Sequence, residues 1–177
     1  MQTNLQTEAE LIDAARAGSA DALAALYTAH AQPVFALAWR LTGSRADAED
    51  VLHDVFLGLP EGLRRYVERG NFGAWLRRVA ARTALMRMRS GRRRREVELD
   101  EAGDRAVDPP GDGEVAQDLW RAVADLPDGL RAVFVLKEVE GHTHAEVATL
   151  LGITSGASEV RLCRAMRKLR ERLEGSR

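Results

Sequence analysis

Residues 143–173 read THAEVATLLGITSGASEVRLCRAMRKLRERL, and this stretch determines the architecture of the C-terminal part of the chain. Thr143 and Glu146 have the spacing of a capping box, which predicts a helix beginning at about Thr143. Gly152 follows the last apolar position of that helix, where glycine adopts a left-handed conformation at the least cost. The stretch therefore predicts two helices joined by a tight turn at Gly152, with Ile153 as an apolar plug in the turn.

The second of these helices is basic. Thr154 or Ser155 can cap it, and it is predicted to run to about Leu173. Four apolar residues are spaced to share its buried side: Leu162, Met166, Leu169 and Leu173. Its remaining surface carries Arg161, Arg164, Arg167, Lys168, Arg170 and Arg172. A helix, a glycine turn and a basic helix form the pattern of a helix-turn-helix, whose second helix enters the DNA major groove. The alternative is an ordinary amphipathic helix pair with a solvated basic face.

Helical periodicity also dominates upstream, and no alternating strand pattern appears, so an all-α fold is predicted. Thr7 opens a second capping box, and Ser44 can cap another helix. Pro33 is predicted to kink a helix or begin a new one, because proline removes a backbone donor. Pro60 and Gly62 are predicted to end the helix that Ser44 begins.

Charge is segregated along the chain, although 26 basic and 27 acidic residues leave a net charge of only −1. Residues 64–95 contain twelve arginines, no lysine and one acidic residue, Glu68. Arginine alone suits planar, bidentate contacts to phosphates and base edges. We therefore expect this segment to contact nucleic acid rather than to be a merely solvated face.

Ser90–Gly113 differs from its surroundings in composition. It opens with the run Arg92–Arg95, turns acidic and contains Pro109 and Pro110. Such a composition predicts an extended linker. The predicted fold is all-α, with two small helical domains joined by a flexible acidic linker, the C-terminal one a helix-turn-helix. The predicted boundaries are 1–92, 93–113 and 114–177.

The composition, 45% apolar and 30% charged, is typical of a soluble globular protein. The N-terminus has no signal-peptide pattern, and a cytoplasmic location is expected. The single cysteine, Cys163, excludes an internal disulfide and is predicted to be a small buried residue, with a redox role left open. His142 and His144 lack a carboxylate or cysteine cluster, so no metal, cofactor or catalytic site is expected.

Several motifs, taken in order, resemble a known family. Residues 47–56 (DAEDVLHDVF), 72–76 (FGAWL) followed by the arginine tract, and the 143–173 stretch are similar to the segments of an extracytoplasmic-function (ECF) sigma factor. The resemblance covers about residues 8–92 and 115–173. It implies an initiation factor whose first domain binds core RNA polymerase and opens the −10 element, and whose second domain reads the −35 element.

The resemblance assigns site residues in three groups. Core-polymerase binding is assigned to Asp47, Asp50, His53 and Asp54. Reading of the −10 region is assigned to Asn71, Trp75, Arg77, Arg78, Arg82, Thr83 and Arg87. Reading of the −35 region is assigned to Thr143, Ser155, Ser158, Glu159, Arg161, Arg164, Arg167 and Lys168. Thr83 and Met86 depart from the family's usual Asn and Asp in the −10 helix, and Ser158 and Glu159 depart from its usual Val and Lys.

The sequence thus predicts a non-enzymatic promoter-specificity factor that needs no cofactor. Its expected partners are core RNA polymerase, promoter DNA and an anti-sigma factor, with no membrane insertion. Two alternatives stay open. One is a stand-alone helix-turn-helix regulator, which would need neither a −10 helix nor a polymerase-binding face. The other is a sigma-like adaptor that has lost promoter recognition, which the departures at Thr83 and Met86 would allow.

Overall fold

The computed structural model describes residues 7–67, 70–98 and 114–175, and every regular element within these residues is helical. No helix of this described part is long and apolar enough to cross a membrane. The helices form an N-terminal and a C-terminal domain, as the sequence predicts. The residues between them, 99–113, lie outside the described part, as does most of the predicted linker.

The N-terminal domain is built around one long central helix. Its elements are α1 (Glu8–Arg16), α2 (Ala20–Thr42), α3 (Arg45–Leu57), α4 (Leu59–Arg65) and α5 (Phe72–Glu98). Helix α2 packs against α1, α3 and α5, so its apolar residues supply the middle of the core. The predicted caps are confirmed: Thr7 forms a capping box with Glu10, and the Ser44 hydroxyl accepts a hydrogen bond from the Asp47 backbone N–H.

The two prolines have different outcomes. Pro33 lies inside α2, which continues from Ala20 to Thr42, so the alternative of a new helix there is wrong and the kink stays a prediction. Val34 and Leu37, which follow the proline, are buried, and their packing keeps the helix continuous although proline removes one backbone hydrogen bond. Pro60 does not end a helix either, because it occupies the first turn of α4, where a missing N–H costs nothing.

Helix α5 is longer than predicted. It extends through the arginine run to Glu98 and so takes up the first residues of the segment that was expected to be an extended linker. Arginine and glutamate are good helix formers, which favours continuation of a helix already nucleated by the buried residues Leu76, Ala80 and Ala84.

The C-terminal domain holds the helix-turn-helix. Its elements are α6 (Glu114–Ala124), α7 (Asp128–Phe134), a π-helical turn (Val135–Val139), α8 (His144–Leu151) and α9 (Ser155–Glu174). Thr143 forms the predicted capping box with Glu146, and Gly152 ends α8 in the left-handed conformation at φ 67°. Thr154, rather than Ser155, is the residue that caps α9.

The buried side of α9 is shifted from the predicted one. Ser158, Ala165 and Leu169 are buried, whereas the side chain predicted to be buried at Met166 is 44% exposed. Cys163 is exposed, so the prediction of a buried thiol is wrong. Each residue turns a helix by about 100°, which carries Cys163 away from the inward-facing Leu162.

Candidate nucleic-acid interface

Helix α9 presents the most exposed basic surface of the C-terminal domain. Arg164, Arg167 and Lys168 are exposed, as are Ser155 and Glu159 near the start of the helix. Arg161 is half-buried, with its guanidinium beside Gly129. The surface therefore combines cations for phosphates with one carboxylate that can accept a hydrogen bond from a cytosine amino group.

Ser158 does not share this surface. Its side chain is fully buried, and its hydroxyl lies 2.9 Å from Nδ1 of His144 on α8. The burial places Ser158 in the contact between the two helices of the helix-turn-helix, contrary to the expectation that it faces DNA. Periodicity could have indicated this, because Ser158 precedes the inward-facing Leu162 by four residues.

The start of α8 carries a charged cap. Glu146 accepts hydrogen bonds from the backbone N–H of Thr143 at 2.7 Å and from its hydroxyl at 2.8 Å. These bonds, the backbone one first, lower the pKa of the Glu146 carboxyl, and the charges of His142 and Arg78 act in the same direction. The exposed side chain of Thr143 is therefore engaged in a cap and is not a free DNA contact in this arrangement.

Helix α5 begins beside an aromatic cluster. The side chain of Asn71 accepts a hydrogen bond from the backbone N–H of Ala74 at 3.3 Å and so caps the helix. Trp75 stacks on Phe72 with ring centroids 5.5 Å apart and lies 4.8 Å from the ring of Tyr66. Trp75 is half-buried, so part of its ring is available at the surface. A small pocket next to this cluster is lined by His30, Asn71, Gly73 and Arg77, among others.

The arginines of α5 have different surroundings. Arg77, Arg78 and Arg82 are all exposed, but the Nε of Arg77 also lies 3.6 Å from a carboxylate oxygen of Glu140 in the C-terminal domain. Thr83 is half-buried, and its hydroxyl donates to the carbonyl of Val79 at 3.1 Å. The predicted −10 residues therefore lie along one helix, but they are not equally free to reach a ligand.

Arg87 is held by the acidic face of α3. Its guanidinium donates to the carboxylates of both Asp50 and Asp54, one nitrogen to each. Burial opposes the charge of this guanidinium, but the hydrogen bonds and charges of Asp54 and Asp50 outweigh it and raise the pKa of Arg87 above its ordinary value. Sequence reasoning placed Arg87 on DNA and the two carboxylates on polymerase, whereas the structure joins all three.

The acidic face itself is accessible. The side chains of Asp50 and Asp54 are 59% and 40% exposed, and His53 is exposed between them on α3. Asp47 lies in the first turn of α3, where a negative charge also favours the helix dipole. Three of the four predicted polymerase-binding residues, Asp50, His53 and Asp54, thus share one exposed surface.

The described residues contain no group of three or more histidine, cysteine or acidic side chains that could hold a metal ion.

Comparisons with known proteins agree with this arrangement. Residues 26–94 match the Sigma-70 region 2 family, and residues 116–169 match the Sigma-70 region 4 family. The ECF RNA polymerase sigma factor SigE of Mycolicibacterium smegmatis is 36% identical over 152 residues, which cover 81% of this chain and 58% of SigE. The ECF RNA polymerase sigma factor SigL of Mycobacterium tuberculosis is 34% identical over 170 residues, which cover 92% of this chain and 95% of SigL.

A solved structure shares the fold. The sigma factor RpoE of Bartonella quintana, determined in complex with the anti-sigma factor NepR, has a TM-score of 0.63 and 23% identity, covering 85% of this chain and 96% of RpoE. The two sigma-70 regions occur in order along the chain, and the relationship to SigL extends over nearly the whole length of SigL. The chain therefore belongs to the family of ECF RNA polymerase sigma factors.

Proposed function

We propose that this sigma factor binds core RNA polymerase through α3 and reads promoter DNA through α5 and α9. The observation that carries the polymerase contact is the exposed acidic face formed by Asp50, His53 and Asp54. Once Arg87 is displaced from Asp50 and Asp54, these carboxylates form a surface of one sign of charge, which favours a partner surface of the opposite sign and increases its association rate. The partner surface on polymerase is accordingly expected to be basic.

Promoter reading is divided between two helices. Arg78 and Arg82 on α5 are exposed cations for the −10 region, next to the partly exposed ring of Trp75. On α9, the exposed side chains at Glu159, Arg164 and Lys168 are the candidates for the −35 region. Two such readers on one chain gain affinity through effective concentration. A stand-alone regulator would have no use for the acidic face of α3.

An anti-sigma factor is proposed as a further partner. RpoE of Bartonella quintana was determined with the anti-sigma factor NepR, and the same fold is present in this chain. The inhibitor of this chain would be expected to cover the acidic face of α3 or the basic face of α9, because either contact would block a step of initiation. A cytoplasmic location and the absence of catalytic activity are part of the same proposal.

The test is whether the full chain forms a complex with bacterial core RNA polymerase, measured by size-exclusion chromatography at moderate salt. The wild-type chain is expected to co-elute stoichiometrically, and the double variant Asp50→Arg/Asp54→Arg is expected to elute free. A matched control, Asp21→Arg/Glu61→Arg, makes the same change of charge on exposed positions of α2 and α4 and should still co-elute. A folded wild-type chain that does not co-elute would favour the stand-alone regulator.

A further inference from the structure

An apolar stripe runs along the outer side of the arginine-rich helix α5. It consists of Trp75, Val79, Thr83 and Met86, whose spacings of four, four and three residues keep them on one side of the helix. The first three are half-buried, whereas the side chain of Met86 is 66% exposed. A single exposed apolar side chain is ordinary, but one that continues a stripe indicates a contact surface.

The part of the stripe from Val79 to Met86 has little capacity for hydrogen bonding. The Thr83 hydroxyl donates its only hydrogen to the carbonyl of Val79 at 3.1 Å, so this donor is already used within the helix. The side chain of Met86 has only a thioether sulfur, which is a weak acceptor, and that of Val79 has no polar atom. A ligand therefore meets methyl and methylene groups here.

Exposed arginines border the stripe along one edge. Arg78 and Arg82 are four residues apart and each directly precedes a residue of the stripe, so they form a parallel row on the helix. Guanidinium groups bind phosphates well, which a row of uncharged side chains cannot do. This charge complementarity identifies the occupant as nucleic acid, with its phosphates on the arginines and its bases over the stripe.

The kind of nucleic acid follows from the two ends of the stripe. The partly exposed ring of Trp75 favours a single strand, because unpaired bases of any sequence can stack on an aromatic side chain. At Met86 the contact is selective. Base edges consist of hydrogen-bond donors and acceptors, apart from the C5-methyl group of thymine, and that methyl is the group an apolar side chain can recognise.

We propose that Met86, together with the methyl group of Thr83, is a specificity determinant that contacts the C5-methyl group of a thymine in single-stranded DNA bound along α5. The proposal deepens the proposed function and rests on it for the position of this thymine, which is the −10 region. Burial of one methyl group against Met86 corresponds to about fourfold in affinity, or about 0.8 kcal/mol.

The experiment measures the affinity of the full-length chain for dye-labelled single strands by fluorescence anisotropy. Oligo(dT) and oligo(dU) of equal length differ only in the C5-methyl groups, so the ratio of their affinities isolates the methyl contact. A variant that only loses general affinity leaves this ratio unchanged. Wild type is expected to bind oligo(dT) about three- to fivefold more tightly than oligo(dU).

The variants divide the stripe into its parts. Met86→Ala should bring the ratio close to one, whereas Met86→Leu keeps an apolar side chain of similar volume and should retain most of it. Thr83→Ser keeps the hydroxyl that bonds to Val79 and removes only the methyl group, so it should lower the ratio in part.

Two controls leave the ratio unchanged for different reasons. Met166→Ala truncates a methionine that is 44% exposed on α9, outside the stripe. Arg82→Ala removes a phosphate contact and should weaken binding of both strands by the same factor.

Cytosine separates the methyl group from the rest of thymine. Oligo(dC) with a methyl group at C5 of every base should bind wild type more tightly than unmodified oligo(dC), and Met86→Ala should remove this gain. A preference for thymine over uracil without a gain from methylation of cytosine would mean that groups other than the methyl are read, and would overturn the proposal.

The other outcomes are also distinguishable. Equal affinity of wild type for oligo(dT) and oligo(dU) would overturn the proposal. So would a ratio that Met86→Ala leaves unchanged, either because stacking on Trp75 explains it or because Met86 is a wedge that separates any pair of bases. A chain that binds neither strand would contradict DNA reading by α5 and this proposal with it. Failure to co-elute with core polymerase would contradict only the proposed polymerase contact, because polymerase is absent from the anisotropy assay.

Discussion

Arg87→Ala separates two roles for one side chain. As a DNA contact, Arg87 would assist promoter opening. As the cation between Asp50 and Asp54, it screens the acidic face of α3, and polymerase must displace it before those carboxylates can bind a basic surface. The structure favours the second role, so we expect the variant to bind core polymerase more tightly than wild type.

The magnitude follows from exposure. The Arg87 side chain is 37% exposed and its two partners are more exposed still, so solvent screens the ion pairs strongly. Exposed ion pairs contribute about 0.2–1 kcal/mol each. The two pairs together contribute about 0.4–2 kcal/mol. Removing the competitor should therefore tighten polymerase binding about two- to thirtyfold, since about 1.4 kcal/mol corresponds to a factor of ten. A similar amount of stability is lost from the contact between α3 and α5.

The assay is a fluorescence-anisotropy titration of labelled sigma factor with core polymerase, in parallel with promoter opening by the holoenzyme. Arg82→Ala is the matched control, because Arg82 is exposed on the same helix. It should leave polymerase affinity unchanged and weaken promoter opening. If Arg87→Ala instead bound polymerase more weakly than wild type, or matched Arg82→Ala in both assays, the screening argument would be refuted.

Three other predictions concern the helix-turn-helix. Gly152→Val should destabilise it by about 1–2 kcal/mol in chemical denaturation, because the backbone at residue 152 has a φ of 67°, a left-handed conformation that valine adopts only with strain. Gly156→Ala is the control and should not destabilise it, because Gly156 lies in open space within α9. Ser158→Ala should cost about 1 kcal/mol by removing the hydrogen bond to the half-buried ring of His144. A change in −35 base preference in this variant would contradict the burial of Ser158, whereas Glu159→Ala is expected to change that preference. The Glu146 carboxyl should titrate by NMR below its ordinary pKa of 4.5. Its contribution to stability is therefore present above pH 4.5 and is lost as the pH falls through the lower pKa of the folded state. Thr143→Ala should raise the titration midpoint of Glu146, and an unchanged midpoint would exclude the cap as the cause.

The parts of the fold that were predictable are those set by local geometry. The caps at Thr7, Ser44 and Thr143 and the left-handed Gly152 depend on neighbours within a few residues, so the sequence pattern contains their whole cause. The alternative of a new helix at Pro33 was wrong, because that outcome depends on how strongly the rest of α2 is buried.

In the candidate site too, features set by the local sequence pattern were predictable, whereas contacts between distant residues were not. The exposed cations of α9 and the acidic face of α3 follow from periodicity and charge. The pairing of Arg87 with Asp50 was not predictable, because the two residues are 37 positions apart and each had an independent role by resemblance. Arg131 was missed altogether, since nothing in the residues around it indicates that two of its acceptors, the carbonyls of Leu41 and Thr42, lie about 90 positions away.

The buried side chain of Arg131 on α7, whose guanidinium donates to carbonyls at the end of α2, has a consequence for how this contact between the domains can evolve. Its acceptors on α2 are the main-chain carbonyls of Leu41 and Thr42, which any amino acid at those positions would supply. Substitutions there would leave the acceptors in place, so no compensating change at residue 131 would be selected. Correlated-substitution methods, which infer contacts from paired changes, would consequently find little signal between Arg131 and Leu41 or Thr42. Gly43, whose missing side chain makes room for the guanidinium, and Asp128, whose carboxylate accepts a hydrogen bond from it at 2.7 Å, would register as constrained neighbours.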